Sequence, residues 1–179
     1  MRRKGPSSLD AALARPVVAD VEPGHFCCTI WQNVSILIWA DRATKEALGR
    51  IQRRVTRPMI EQYPNGHSNV AFVLAGVQPP TPEAREIFTH LYKEGVGDLK
   101  CVGVVLEGDG FWASMLRSSI TNMQIESGRK TALGQYTSVD EIAAWMAPLH
   151  SERTGVEITA LQLRVALRAA RNEGVPDVR

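Results

Sequence analysis

Apolar residues follow two different periods along the chain, and their order predicts the fold. Two short runs rich in β-branched and aromatic residues, Phe26 to Trp31 and Val34 to Trp39, are separated only by Gln32 and Asn33, as in a tight hairpin. Helical patterns then alternate with strand-like runs as far as Trp145. Because a helix must return the chain between parallel strands, we expect an antiparallel opening pair, then a mostly parallel sheet with crossover helices.

The first crossover is predicted from its cap and its apolar spacing. Asp41 or Thr44 can cap a helix whose apolar residues recur at helical spacing as far as Val55, and Pro58 marks a kink or an end. A continuous apolar run, Val70 to Ala75, is typical of a central strand covered on both faces. The later strands are predicted at Leu99 to Leu106 and at Ala132 to Tyr136.

Three further helix starts carry capping chemistry. Thr81 precedes Pro82 and Glu83, which combines a hydroxyl cap, a proline at the first helical position and an acid at the positive end of the helix. Ser138 to Glu141 has the spacing of a capping box, and so does Thr154 to Glu157. We expect the second box to open one extra C-terminal helix. The apolar face of that helix is predicted to be Ile158, Leu161 and Val165.

Domain boundaries follow from the same pattern. Residues 1–24 contain prolines and a basic start without an apolar stretch, so we predict a flexible N-terminal tail and no secretion signal. Residues 25–150 form the predicted α/β domain, and residues 151–179 a C-terminal helical extension. The extension could pack on its own domain, which we favour, or on a second copy in a homodimer.

Net charge, the length of the apolar runs and the number of cysteines limit the classes of function that the protein can have. A net charge of +2 on 179 residues gives no overall field that would attract nucleic acid or an anionic membrane. No apolar run approaches the roughly 20 residues of a membrane span. Three cysteines cannot all pair within one chain, and the adjacent Cys27 and Cys28 point to opposite faces of a strand. We therefore expect a reduced, cytoplasmic protein.

The succession of a hairpin, three strand-helix returns, and a last strand and helix resembles the STAS-like fold of anti-sigma-factor antagonists. The likeness covers roughly residues 26–148 and lies in architecture and element spacing. It implies a bacterial signalling protein whose partner is a kinase or a sigma-factor regulator. In that family a serine or threonine at the start of the helix after the central strand is phosphorylated, commonly in an Asp-Ser-Ser/Thr-Gly loop. Here Gly76 to Thr81 keeps a hydroxyl and lacks the aspartate, the serine and the glycine.

Two surfaces are candidates for binding a protein partner. Thr81 is the candidate phosphoacceptor or anion site, although an ordinary helix cap is the interpretation that we favour. The loops that precede two helices at one edge of the sheet form the predicted partner surface. Its residues are Gln78, Pro80, Glu83, Asp109 and Trp112.

The second surface is a basic face on the first crossover helix. Its residues are Arg50, Arg53, Arg54 and Arg57. It could dock an acidic protein or a phosphate backbone, but a solvated outer face is the interpretation that we favour. The helix also lacks the exposed aromatic residues that help to bind single-stranded nucleic acid.

The sequence carries no complete catalytic, metal-binding or cofactor signature. A G-x-S-x-G elbow is absent, Gly108-Asp109-Gly110 is too short for a phosphate loop, and the four histidines lack paired spacing and are expected mostly at the surface. We therefore predict a non-enzymatic regulatory protein-interaction domain without a cofactor. A small-ligand or lipid-binding module, with a cavity near Trp112 and Trp145, is the main alternative.

Overall fold

The computed structural model describes residues 15–94, 99–108, 114–118, 120–121 and 131–174. Six strands form one sheet in the spatial order β1 to β6. The strands are β1 (Val17–Glu22), β2 (Phe26–Trp31), β3 (Val34–Trp39), β4 (His67–Val73), β5 (Leu99–Leu106) and β6 (Ala132–Tyr136). β1, β2 and β3 pair antiparallel, and β3 to β6 pair parallel. The predicted α/β class, with an opening hairpin and a parallel remainder, is confirmed.

Helices connect the parallel strands and close the chain. They are α1 (Lys45–Ile51), a π-helical segment (Gln52–Thr56), α2 (Arg57–Gln62), α3 (Pro82–Glu94), α4 (Val139–Thr154) and α5 (Ala160–Glu173). Residues 114–118 and 120–121, between β5 and β6, are also helical.

Apolar clusters lie on both faces of the sheet. On the crossover face, residues such as Leu37 and Phe26 pack against Leu48 of α1 and Ala84 of α3. On the terminal face, the sheet packs against α4 and α5. β3 is buried at every position, because helices cover it on both sides.

The prediction of a flexible N-terminal tail is wrong for residues 17–22. Val17–Glu22 is an edge strand paired with β2, so this part of the tail belongs to the sheet. Pro16 and Pro23 flank the strand and do not interrupt it, and a sheet edge is where such residues are tolerated. The strand exposes Val17, Val18 and Val21 and buries Asp20, which is the reverse of the alternation that would predict a half-buried strand.

The first crossover helix passes through Pro58 without ending. Thr44 caps α1 by accepting a hydrogen bond from the backbone N–H of Ala47, as one of the two predicted caps should. The N–H of Arg57 donates to the carbonyl of Gln52, five residues back. This wider turn separates the proline ring from the preceding turn, where a regular α-helix would produce a clash.

The C-terminal helix starts later than predicted. Thr154 lies in the last turn of α4, and Thr159 caps α5 in a capping box with Gln162. The box predicted at Thr154 to Glu157 is therefore wrong, and so is the apolar face derived from it. Ile158 is buried, but Leu161 and Val165 are exposed.

The later start sets which side of α5 is buried. Its inward residues are Leu163, Ala166, Leu167 and Ala170. They join the core of the terminal face together with side chains of α4. α5 thus packs on its own domain, which was the favoured alternative.

Candidate functional site

The loop between β4 and α3 is fixed at both ends and in its middle. The backbone N–H of Leu74 donates to the carbonyl of Trp39 (3.1 Å), and that of Thr81 donates to the carbonyl of Ala43 (3.1 Å). The side chain of Val77 is buried between these anchors. Ala75 and Gly76 remain exposed, and Gln78 to Pro80 are half-buried. The loop therefore presents an ordered surface at the carboxyl edge of the sheet.

Thr81 is a helix cap in the structure. Its hydroxyl oxygen accepts a hydrogen bond from the N–H of Ala84 (3.3 Å). Hydrogen bonds from the backbone N–H of Glu83 and from the Thr81 hydroxyl lower the pKa of the Glu83 carboxyl. A phosphate on Thr81 would lose the hydroxyl proton and would repel this neighbouring carboxylate. The geometry thus supports the favoured cap interpretation.

The second predicted loop begins beside the first. The N–H of Glu107 donates to the carbonyl of Val73 (2.9 Å). Its carboxylate accepts two hydrogen bonds from Arg171 of α5, at 2.5 and 2.7 Å. Glu107 is therefore engaged in an ion pair that joins the end of β5 to α5. Asp109 and Trp112 lie outside the described residues.

The predicted basic face is partly neutralised by β1. Arg50 donates to carboxylate oxygens of Asp20 (2.7 Å) and Glu22 (3.3 Å), and Arg54 donates to Asp20 (3.0 Å). Arg53 and Arg57 are exposed and form no ion pair with any described residue. The edge strand thus pairs two of the four arginines, and the remaining two form a small patch.

Asp20 is expected to hold β1 against the first crossover helix. Its side chain is only 2% exposed. Burial opposes ionisation, but hydrogen bonds and charges from Arg50 and Arg54 outweigh it and lower the pKa of the Asp20 carboxyl. We expect Asp20→Asn to reduce the free energy of unfolding by roughly 2 kcal/mol, since charge-assisted bonds are lost.

Urea unfolding followed by circular dichroism measures this loss. Arg53→Ala is the matched control, because it removes an exposed guanidinium from the same helical stretch, and surface changes stay within about 0.5 kcal/mol. Equal stabilities of the two variants would contradict a structural role for the Asp20 cluster.

A cleft of 540 Å³ lies on the crossover face between α1 and α3. Its floor is formed by strand residues that include Ser35, Leu37 and Asn69. Trp145 does not line it: that side chain packs on Tyr136, with ring centroids 5.7 Å apart, on the terminal face. The cavity predicted beside Trp112 and Trp145 is thus not the cleft seen here, and Trp112 lies outside the described residues.

A buried polar chain crosses the amino-terminal end of the sheet. Asn33 donates from Nδ2 to the carbonyl of Gly66 (3.0 Å), so its Oδ1 faces His150 Nε2 at 2.8 Å. His150 Nε2 must therefore carry the proton, and Nδ1 accepts from the hydroxyl of Ser68 at 2.8 Å. Asn33, Ser68 and His150 are each 0% exposed.

Ser68, His150 and Asn33 are hydrogen-bonded in the order of a hydrolytic triad, but their role is different. A hydrolase needs its serine within reach of substrate, whereas all three side chains here are enclosed. Burial, and to a lesser extent the charge of His67, lowers the pKa of His150 to about 4. His150 is therefore neutral at pH 7 and ties α4 to β4 and to the hairpin turn.

Two of the four histidines are buried, although the sequence predicted them mostly at the surface. His67 and His150 are buried, whereas the side chain of His25 is half-exposed and pairs with Asp41 at 3.2 Å. His150 lies one helical turn beyond Met146 on the buried side of α4, and this spacing is the signal that could have predicted its burial.

Other chemistry is limited within the part of the chain that the structure describes. No three histidine, cysteine, aspartate or glutamate side chains there lie close enough to hold a metal ion. No described helix combines the length and the apolar character needed to cross a bilayer. Cys27, Cys28 and Cys101 are free and buried, and burial raises the pKa of the Cys28 thiol.

Comparison of the chain with protein-family models, with curated proteins and with solved structures found no match. The function must therefore be argued from the surfaces described above.

Proposed function

We propose that the protein is a non-enzymatic regulatory domain that binds a protein partner through the carboxyl-edge loop, residues 74–83. The resemblance of the element order to STAS-like domains suggests a kinase or a sigma-factor regulator as the partner, in a bacterial cytoplasm. Three free, buried thiols are consistent with a reducing compartment.

The ordered carboxyl-edge loop is the observation that carries this proposal. It is anchored at Leu74, Val77 and Thr81, yet it presents Gln78 and Pro80 near the surface. Two consecutive prolines restrict its backbone further. A loop that is already ordered loses little conformational entropy on binding, so it favours association with another protein.

A quantitative pull-down from the host organism tests the proposal. The bait is the full chain, compared with the double variant Gln78→Arg/Glu83→Arg, which changes the charge of the loop. We expect the variant to lose one specific partner that the wild type retains. With that partner purified, the affinity should fall about tenfold or more, which corresponds to at least about 1.4 kcal/mol.

Arg57→Glu is the matched control, because it changes the charge of the basic face alone. Retention of the partner by this variant supports the loop as the contact surface. Loss of the partner by Arg57→Glu, with full retention by the loop variant, would instead establish the alternative of an acidic partner on the basic face. If that eluate contained nucleic acid instead of a protein, the basic face would be a binding site for a phosphate backbone.

A further inference from the structure

The cleft between α1 and α3 has the size and position of a ligand site. Its volume, 540 Å³, falls in the range of about 300–1,000 Å³ that small-molecule pockets occupy. It lies between the sheet and two helices that follow adjacent parallel strands, β3 and β4. Of the partner-surface residues, Glu83 lines it, whereas Gln78 and Pro80 do not.

Small and polar side chains on one side of the first crossover helix keep the cleft open. Lys45, Gly49, Gln52 and Thr56 line it, roughly one helical turn apart. A Cβ atom built on Gly49 would meet only the guanidinium end of Arg53, at 3.4 Å. The missing side chain at Gly49 therefore leaves space that a larger residue could fill without a backbone clash.

The walls and the floor of the cleft differ in chemistry. Leu48 and Ile51 contribute apolar surface from α1, and Ile87 contributes it from α3. The polar residues of the floor are Ser35, His67 and Asn69, of which Ser35 and Asn69 lie at matching positions of β3 and β4. The apolar walls suit the aliphatic part of a ligand, and the Ser35 and Asn69 pair can receive a polar group.

The polar pair defines which group the ligand should carry. Asn69 Nδ2 donates to the hydroxyl oxygen of Ser35 (2.9 Å) and to its carbonyl (3.3 Å). Its Oδ1 accepts no hydrogen bond from the described residues, so it offers an acceptor to a donor on the ligand. Glu83 and Glu86 also line the cleft and outnumber its one lysine, Lys45, so the net charge disfavours an anionic ligand.

We infer that this cleft binds a neutral aliphatic molecule with one hydroxyl group, which donates to Asn69 Oδ1 while the chain packs between α1 and α3. The cleft shares Glu83 with the carboxyl-edge loop, but variants at Gly49, Thr56 and Asn69 change the cleft and leave the loop intact, so failure of this site and failure of the proposed protein contact are distinguishable.

Calorimetric titration of the full chain at pH 8 tests the ligand chemistry with three probes of equal chain length. They are 1-decanol, its methyl ether, and decanoate, which is ionised at this pH. We expect saturable one-to-one binding of 1-decanol, and affinities about tenfold or more lower for the ether and the carboxylate. Asn69→Ala should abolish the preference for the alcohol over the ether. Equal affinities of the wild type for all three probes would overturn the assignment of the polar group.

Cavity filling tests the location. Gly49→Leu places an aliphatic side chain in the cleft and replaces glycine by a better helix former, so the fold should be retained. We expect it to weaken 1-decanol binding about tenfold or more. Glu46→Leu is the control, because it adds the same side chain at an exposed position of the same helix that does not line the cleft.

Thr56→Leu narrows the other end of the cleft and provides a second filling variant should Gly49→Leu fold poorly. The melting temperature of each variant shows whether it is folded. Undiminished binding of 1-decanol by a folded filling variant, or binding that does not saturate, would place the probe elsewhere and overturn the inference.

Discussion

His150→Ala is expected to lower the free energy of unfolding by about 3–5 kcal/mol. The imidazole bridges Ser68 and Asn33 at 2.8 Å on both sides. Its removal leaves a hydroxyl and an amide oxygen buried without their partner, and each such group costs about 1–3 kcal/mol. It also leaves a cavity between α4 and the sheet that the rigid surroundings only partly close.

Urea unfolding monitored by tryptophan fluorescence measures this effect. His25→Ala is the control, because it removes a half-exposed histidine whose ion pair with Asp41 lies at the surface. Such pairs contribute about 0–1 kcal/mol. A loss below about 1 kcal/mol for His150→Ala would show that the buried chain does not hold α4 in place.

The same histidine should make stability depend on pH between about 4 and 6.5. An unfolded histidine takes up a proton near pH 6.5, whereas burial and the charge of His67 lower the pKa of His150 to about 4 in the folded chain. In this window the unfolded state binds more protons, so stability falls as the pH falls. The contribution is present in full above pH 6.5 and is lost as the pH approaches 4, with about 2 kcal/mol lost between pH 7 and pH 5.

Unfolding curves at pH 7 and pH 5 test the second prediction. His150→Gln, which cannot be protonated in this range, should remove most of the difference while retaining part of the hydrogen bonding. His67→Gln is the matched comparison, since it removes the neighbouring titratable side chain and keeps His150. A pH dependence that disappears in His67→Gln and persists in His150→Gln would assign the effect to His67 and contradict the prediction.

Local chemistry made most of the fold predictable. The hairpin around Gln32 and Asn33, and the caps at Thr44, Thr81 and Ser138, depend on neighbouring residues, and each is found in the structure. β1 was missed because its stability comes from pairing with β2 and from arginines about 30 residues later in the chain. A contact between residues so far apart in the sequence produces no pattern among neighbouring residues.

The candidate sites were less predictable for a related reason. Ser35 is an isolated polar residue in an apolar strand, whereas Asn69 belongs to the polar start of β4, and only the register of β3 against β4 places them side by side. A signal did exist, because an uncharged polar residue within a strand covered on both faces needs a partner. The distant Asn33 and His150 likewise meet only through the packing of α4 on the sheet.

The π-helical segment makes the first crossover helix one residue longer than its buried face requires. Ala47, Ile51, Val55 and Met59 are buried at intervals of four, and in an α-helix each such step turns about 40° too far. Deleting one residue between Ile51 and Val55 would restore intervals of four, three and four, which suit a regular α-helix. Pro58 would then stand inside that helix, so the deletion should be tolerated only together with its replacement. Sequences that share this fold can therefore differ here by a one-residue gap coupled to the presence of proline.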